Sequence, residues 1–361
     1  MNYVKLFGDK EIVNGYAERI EALTAGLEVP LTLMEVCGTH TMAISRFGIR
    51  SLLPPKVRLI SGPGCPVCVT PNHYLDRAIA LSRLPDVIIA TFGDMMRVPG
   101  SSSSLMEERA SGADIRIVNS PLDGVALAAR NPDRKIIFPG IGFEATAPAV
   151  AASILMAARQ KLDNYLVLAG HKTMPKAMEM LAAEPAAAIH GFICPAHVSA
   201  VIGTDAYLPL AERHHIPCVV TGFEPADIMQ GVEMLIRQKI AGEANVENQY
   251  RRVVKRDGNS KAREVMSQVF TPCDCHWRGI GIIPGSGLKI RRSYARFDAE
   301  KVLPVKVEEQ EEQKGCRCGD VLKGKIQPFD CPLFGMQCTP EGPVGPCMVS
   351  SEGSCAAYYN H

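Results

Sequence analysis

The chain lacks several things, and each lack excludes a class. It has almost no charge surplus: 39 basic side chains face 38 acidic ones, a formal net charge of +1. Nucleic-acid binders normally carry a large basic excess, so no nucleic-acid partner is expected. No apolar run is long enough to span a bilayer, since the most apolar stretch, residues 145–158, is short and interrupted. The opening residues, MNYVKLFGDKEIVNG, hold no apolar core of signal-peptide length. No membrane contact is expected, and the expected location is the cytoplasm. Paired C-x2-C knuckles, the usual mark of structural zinc, are missing, as is ferredoxin spacing.

What is present is a chain of 361 residues, 47% hydrophobic and 21% charged. That composition excludes wholesale disorder and predicts two or three domains with real cores. The unusual feature is thirteen cysteines. Five are spread over residues 1–272 (Cys37, Cys65, Cys68, Cys194, Cys218) and eight follow. In a cytoplasmic chain such a cluster points to metal binding or redox work rather than a disulfide framework.

Short continuous apolar runs recur at 31–36, 57–60, 87–90, 115–118, 136–138, 166–169 and 218–220. Many are β-branched, as strands buried on both faces should be. Helical patterns lie between them. Residues 72–83 place Leu75, Ala78, Ile79 and Ser82 on one face, and residues 225–237 do the same with Ile228, Val232, Leu235 and Ile236, behind Pro225. The pattern predicts two Rossmann-like α/β lobes with parallel sheets facing a cleft. Approximate boundaries are 57–160 for the first lobe, 20–56 with 161–265 for the second, and 266–361 for a small Cys-rich domain. A faint echo, Cys65-Pro66-Val67-Cys68-Val69-Thr70 with Cys194-Pro195-Ala196-His197-Val198-Ser199 and Gly142-Phe143-Glu144 with Gly222-Phe223-Glu224, weakly suggests a duplicated lobe. Residues 243–264 read as a solvated helix and 305–314 as an acidic linker or exposed helix. Residues 315–361 have too little apolar content to fold alone, so a metal centre or disulfides must hold them.

Three constellations carry chemistry. In the tail, Cys316, Cys331, Cys338 and Cys355 form C-x14-C-x6-C-x16-C, with Cys318 and Cys347 interleaved. Four thiolates on irregular backbone suit a cubane iron–sulfur cluster, with zinc as the alternative; spacing alone leaves open which four of the six bind. Cys37-Gly38-Thr39-His40 and Gly62-Pro63-Gly64-Cys65-Pro66-Val67-Cys68 each follow an expected strand, where α/β proteins gather ligands. A C-x-x-C before a helix can cycle between dithiol and disulfide or offer soft ligands to iron. Cys37, His40, Cys65 and Cys68 would form such an iron site if the sheet joins them; otherwise Cys37 and His40 are core groups beside a lone redox pair. Glu144, Glu224 and Asp94 are weaker acid–base candidates with a cap or salt-bridge role as the plain alternative. His171 and His197 follow strand ends, and Cys273 and Cys275 read as free thiols.

Together MEVCGTHT, SGPGCPVCVTP, the first GFE, CPAHVS, WRGIGIIPGSGL and the tail CRCGDVLKG…CPLFG…PVGPCMVSSEGSCAAYY resemble the HypD family of hydrogenase maturation proteins nearly end to end. Ala145 and the pair Cys273 and Cys275 depart from that pattern. The resemblance implies a redox-active assembly scaffold for the iron centre of [NiFe]-hydrogenases rather than a conventional turnover enzyme. It implies a partner chaperone, HypC, a transient cyanide donor, HypE, and a mononuclear iron acquiring two cyanides and one carbon monoxide. It also implies a [4Fe–4S] cluster on Cys316, Cys331, Cys338 and Cys355, with Cys318 and Cys347 as a thiol–disulfide pair. Cys37, Cys65 and Cys68, with His40 beside them, would handle the iron, Cys37 as its ligand. Two rival functions stand against it: an iron–sulfur-dependent reductase of protein disulfides, and a zinc-stabilised interaction protein.

Overall fold

The computed structural model describes residues 9–184, 188–307 and 315–361. Its strands are β1 Leu31–Glu35, β2 Val57–Ser61, β3 Val87–Thr91, β4 Ile115–Ile117, β5 Lys135–Gly142, β6 Tyr165–His171, β7 Gly191–Cys194, β8 Cys218–Val220, β9 Val246–Asn248, β10 Phe270–Trp277 and β11 Gly281–Ile290. Two parallel sheets result. One runs β2-β1-β7-β8-β9 and the other β4-β3-β5-β6, while β10 and β11 form an antiparallel hairpin. The β-branched runs were the correct signal: β1 and β3 are buried at all five positions, as crossover helices on both faces require.

Helices Lys10–Thr24 and Pro225–Ala241 cover the five-stranded sheet, and Arg19 bonds Glu233 at 3.2 Å across them. Ile20, Leu33, Ile44, Val219 and Leu235 pack beneath. Helices Pro121–Arg130 and Ala147–Arg159 cover the four-stranded sheet, where Phe138, Ile154 and Tyr165 meet Phe270 and Ile290 of the hairpin. A third apolar cluster joins the lobes, running from Met34 and Val69 through Ile141, Leu168 and Phe192 to Trp277 and Cys347.

Sheet membership shifts two strands relative to the approximate sequence boundaries. β2 pairs with β1, Leu59 opposite Leu33, so residues 57–61 belong to the larger sheet. β6 pairs with β5 along its whole length, so 165–171 belong to the smaller one. The expected helix over 243–264 is instead the edge strand β9 and a later helix, Ser260–Val269, capped by the Asn259 side chain on Ala262 N at 3.0 Å. The echo does not relate one lobe to the other: both CP motifs follow strands of the larger sheet, whereas the GFE motifs fall one in each sheet. Of the acidic run 305–314, residues 308–314 lie outside the described residues. The tail 315–361 has only short helices, Cys318–Leu322 and Ser354–Asn360, with three-residue turns. No helix among the described residues is long and apolar enough to cross a membrane.

A thiol-lined candidate site

Four loops leave the carboxyl ends of the larger sheet together: those after β1, β2, β7 and β8. The first is Cys37-Gly38-Thr39-His40, with Cys37 capping helix Gly38–Arg46. The second is the Gly-Pro-Gly-Cys loop. The two are clamped: Gly38 N donates to Gly64 O at 3.0 Å, and a Cβ on Gly64 would stand 2.5 Å from Cys37 Cα. Only glycine permits that approach, which seats Cys37 against the Cys65 loop. Burial pushes the Cys37 thiol up to about 12, against the pull of the His40 backbone N–H. A metal cation would reverse that balance, since a coordinated thiol loses its proton.

His40 is turned away from this pair. Its Nε2 lies 3.0 Å from both Gly222 O and Thr221 Oγ1, beyond β8, and its ring sits 4.7 Å from Phe223. His197 packs on the other side of Phe223 at 4.5 Å. Burial lowers the His40 pKa to about 4, so the ring is neutral. Its Nδ1 has no hydrogen-bond partner among the described residues.

Two carboxylates that the motif reading passed over support the loop. Glu35, fully buried, accepts from Thr41 Oγ1 at 2.6 Å and from Cys37 N at 3.2 Å; burial raises its pKa to about 7. Glu352, from the Cys-rich tail, accepts from Thr39 Oγ1 at 2.6 Å. Glu35 sits inside MEVCGTHT and was findable as a buried acid in a strand. Glu352 is remote in sequence, and nothing local marked it.

The tail places its thiols in contact with the second loop. Cys68 N donates to Cys65 Sγ at 3.4 Å, and Cys68 Sγ lies 3.8 Å from Pro346 O. Cys68 also interacts with Cys347, and Cys347 with Cys318 and Cys355. Cys316 Sγ and Cys318 Sγ are 3.2 Å apart. A continuous file of sulfurs therefore runs Cys65, Cys68, Cys347, Cys318, Cys316. No two of the thirteen cysteines are joined by a disulfide. The Cys318 thiol, more than burial, pushes Cys347 up, and burial does the same to Cys68.

Among the described residues, no three His, Cys, Asp or Glu side chains stand at metal-ligating spacing. The tail nevertheless offers the donor chemistry of an iron–sulfur cluster. Gly345 keeps the space beside the sulfurs open: a Cβ there would lie 2.6 Å from Cys316 Sγ and 2.8 Å from Cys318 Sγ. Cys338 Sγ accepts Val344 N at 3.3 Å, and Cys355 interacts with Cys318 and Cys347. Cys331 opens the same loop that Cys338 closes, with Phe334 N bonded to Cys331 O at 3.0 Å.

The remaining candidates stand elsewhere. Both oxygens of Glu144 receive Met174 N, at 3.0 and 3.2 Å, and burial lifts its pKa to about 7. It anchors the helix Met174–Ala182 rather than facing the thiols. Asp94 is exposed, and Glu224 precedes helix Pro225–Ala241 without a side-chain cap bond. His171 is buried beside Phe270, its pKa lowered by burial to about 3.

A family model described as the hydrogenase formation hypA family, labelled HypD, matches residues 11–361. Hydrogenase maturation factor HypD2 of Bradyrhizobium diazoefficiens is 46% identical, covering 100% of this chain and 97% of its own. HypD of Escherichia coli is 46% identical over 97% of this chain and 94% of its own, and that of Azotobacter vinelandii 47% over 99% and 96%. Among solved structures, D-threo-3-hydroxyaspartate dehydratase from Delftia sp. HT23 aligns at 14% identity and TM-score 0.15, over 66% of this chain and 58% of its own. That likeness carries no argument.

Proposed function

The chain belongs to the HypD family of hydrogenase maturation factors, and from that premise we propose that it is the scaffold on which a hydrogenase iron acquires its cyanide and carbon monoxide ligands. The file of thiols from Cys65 to the tail carries the proposal, because the chemistry needs electrons delivered beside the iron. The iron is cargo, held by Cys37 together with a thiol of a small HypC-type chaperone. Cyanide arrives as a sulfur-bound nitrile on a HypE-type donor. Cleaving that S–C bond consumes two electrons and two protons and yields a thiol and hydrogen cyanide. The Cys65 and Cys68 dithiol supplies both on closing to a disulfide. Exchange with Cys347 and Cys318 then moves the disulfide toward the tail. Cys316, Cys331, Cys338 and Cys355 would hold a [4Fe–4S] cluster, and such a group would supply single electrons for restoring the dithiols.

This chain's residues also set the conditions. Burial keeps Cys37 protonated until a cation arrives. Glu35 fixes the Cys37 backbone, and Glu352 latches the tail to Thr39. The neutral His40 holds the loop to the β8 end.

The test is a Mössbauer spectrum of the protein purified anaerobically with its small partner from cells fed enriched iron. A cubane signal with a separate low-spin iron is expected, and Cys37→Ala should lose the low-spin iron alone. A cubane with no low-spin iron in the wild type would overturn the scaffold in favour of an iron–sulfur disulfide reductase. Zinc without iron would overturn both.

A further inference from the structure

Cys273 and Cys275 lie outside the file of thiols, and their surroundings are built for a pair. β11 meets Cys273 with Gly287 and Cys275 with Ile283, across an irregularity in the ladder. Gly287 makes the room: a Cβ there would lie 2.6 Å from Cys275 Cβ, 3.1 Å from Cys273 Sγ and 3.3 Å from Cys275 Sγ. Both sulfurs share the space of one missing side chain. Two residues of strand span about 6.6 Å, within the Cα separations a disulfide bridges. Both cysteines are half-buried, so a small molecule can reach them.

A second observation singles out Cys275. Lys172, just after β6, is only 3% exposed, and its Nζ donates to Cys275 Sγ at 3.2 Å. Its backbone is fixed by Lys172 N on Gly142 O at 3.0 Å and by the adjoining Thr173 N on Ser286 O at 2.7 Å. The ammonium lies 5.8 Å from the Trp277 ring centroid. Burying an ammonium is costly unless it is paired, and here its hydrogen bond goes to a sulfur. The contact fixes the Cys275 sulfur beside Gly287, at the surface where a disulfide can approach it.

We propose that Cys273 and Cys275 form a thiol–disulfide exchange site for small disulfides of the glutathione class, with Cys275 attacking, Cys273 resolving and Lys172 positioning the attacking sulfur. The Cys275 thiolate attacks one sulfur of RS–SR. That bond breaks, and RS⁻ leaves and takes up the proton Cys275 released. Cys273 then gives up its proton and attacks the mixed disulfide on Cys275, expelling a second RS⁻, which takes that proton. The pair has lost two electrons and two protons to become a disulfide, and the substrate has gained them as two thiols. The site is independent of the scaffold proposal.

The full-length protein, kept anaerobic, is equilibrated with reduced and oxidised glutathione at varied ratios, alkylated with iodoacetamide and digested with trypsin. Cleavage after Arg263 and Arg278 releases residues 264–278, which contain Cys273 and Cys275 and no other cysteine. The wild-type peptide should pass from doubly alkylated to disulfide-bonded as the ratio becomes oxidising. Cys273→Ser should trap glutathione on Cys275. Lys172→Met should slow that trapping about tenfold, the value of one charge-assisted hydrogen bond, and Lys172→Arg should restore it. Double alkylation at every ratio overturns the site. Trapping on Cys273 in Cys275→Ser as fast as on Cys275 in Cys273→Ser overturns the roles. Zinc retained with both thiols protected overturns it in favour of a soft-metal site. Trp277 fluorescence confirms that each variant has folded, and the wild-type peptide result stands without any variant.

Discussion

Replacing Gly64 with alanine should undo the clamp between the two cysteine loops at a cost that the geometry sets. The new Cβ would stand 2.5 Å from Cys37 Cα and 2.6 Å from Cys37 C. Carbon atoms rest at about 3.5–4.0 Å, so the loops must part by roughly 1 Å. The obstacle is backbone, so no rotamer change relieves it. Overpacking of this kind costs about 1–3 kcal/mol, and a backbone-to-backbone clash belongs at the top of that range. At about 2–4 °C per kcal/mol for chains of this order of size, the melting midpoint should fall by roughly 6–12 °C. The fluorescence of Trp277 is the right assay, because that ring is fully buried and its neighbour Arg278 N donates to Val69 O, next to Cys68, at 2.9 Å. Gly26→Ala is the control, since a Cβ there meets nothing within 4 Å; it should melt at or slightly above the wild type. A Gly64→Ala protein melting within about 1 °C of that control would refute the close approach of the loops and, with it, the seating of Cys37 against the loop that carries Cys65.

Two further outcomes are expected. The raised Glu35 pKa, about 7 in the folded chain against about 4.3 unfolded, means the native state holds the proton more tightly. Its stabilisation is full below pH 4.3 and is lost as pH rises through 7, a difference of about 4 kcal/mol. The lowered His40 pKa runs the other way, losing stability as pH falls from about 6.5 towards 4. Subtracting the pH–stability curve of Glu35→Gln from that of the wild type should isolate a downward slope between pH 4.3 and 7, and a flat difference would contradict the burial of that carboxyl. Cys331→Ser should lower the iron and acid-labile sulfide recovered anaerobically from about four of each per chain to less than half. Unchanged content would move the fourth cluster ligand to Cys318 or Cys347.

Most of the fold was legible because doubly buried strands announce themselves. VIIA and LVLA are continuous apolar runs, VRLI is broken only by the exposed Arg58, and each became a strand. β9 was not legible: Val-Glu-Asn is a half-buried edge with no apolar signature. Sheet membership was hidden as well, because β1 takes β2 and β7 as neighbours for tertiary reasons that no local run encodes. The loops bearing Cys37, Cys65 and Cys68 were placed correctly by the rule that α/β sites form at carboxyl strand ends. The orientation of His40 was not, since Thr221 and Gly222 capture its ring. Glu352 reaches Thr39 from the far end of the chain, and only the packing of the tail on helix Gly38–Arg46 creates that contact.

One lobe is inserted within the other, and this has a consequence during translation. β1 and β2 are made early, yet β1 lies between β2 and β7, and β7 follows β2 by roughly 130 residues. At about 5–20 residues per second, the ribosome takes on the order of ten seconds to reach it. Through that interval β1, which the finished fold buries on both faces, offers a bare edge to any other nascent chain. Shielding of that edge while the inserted lobe is still emerging is therefore expected to raise the yield of folded chain even where the stability of the finished core is unchanged.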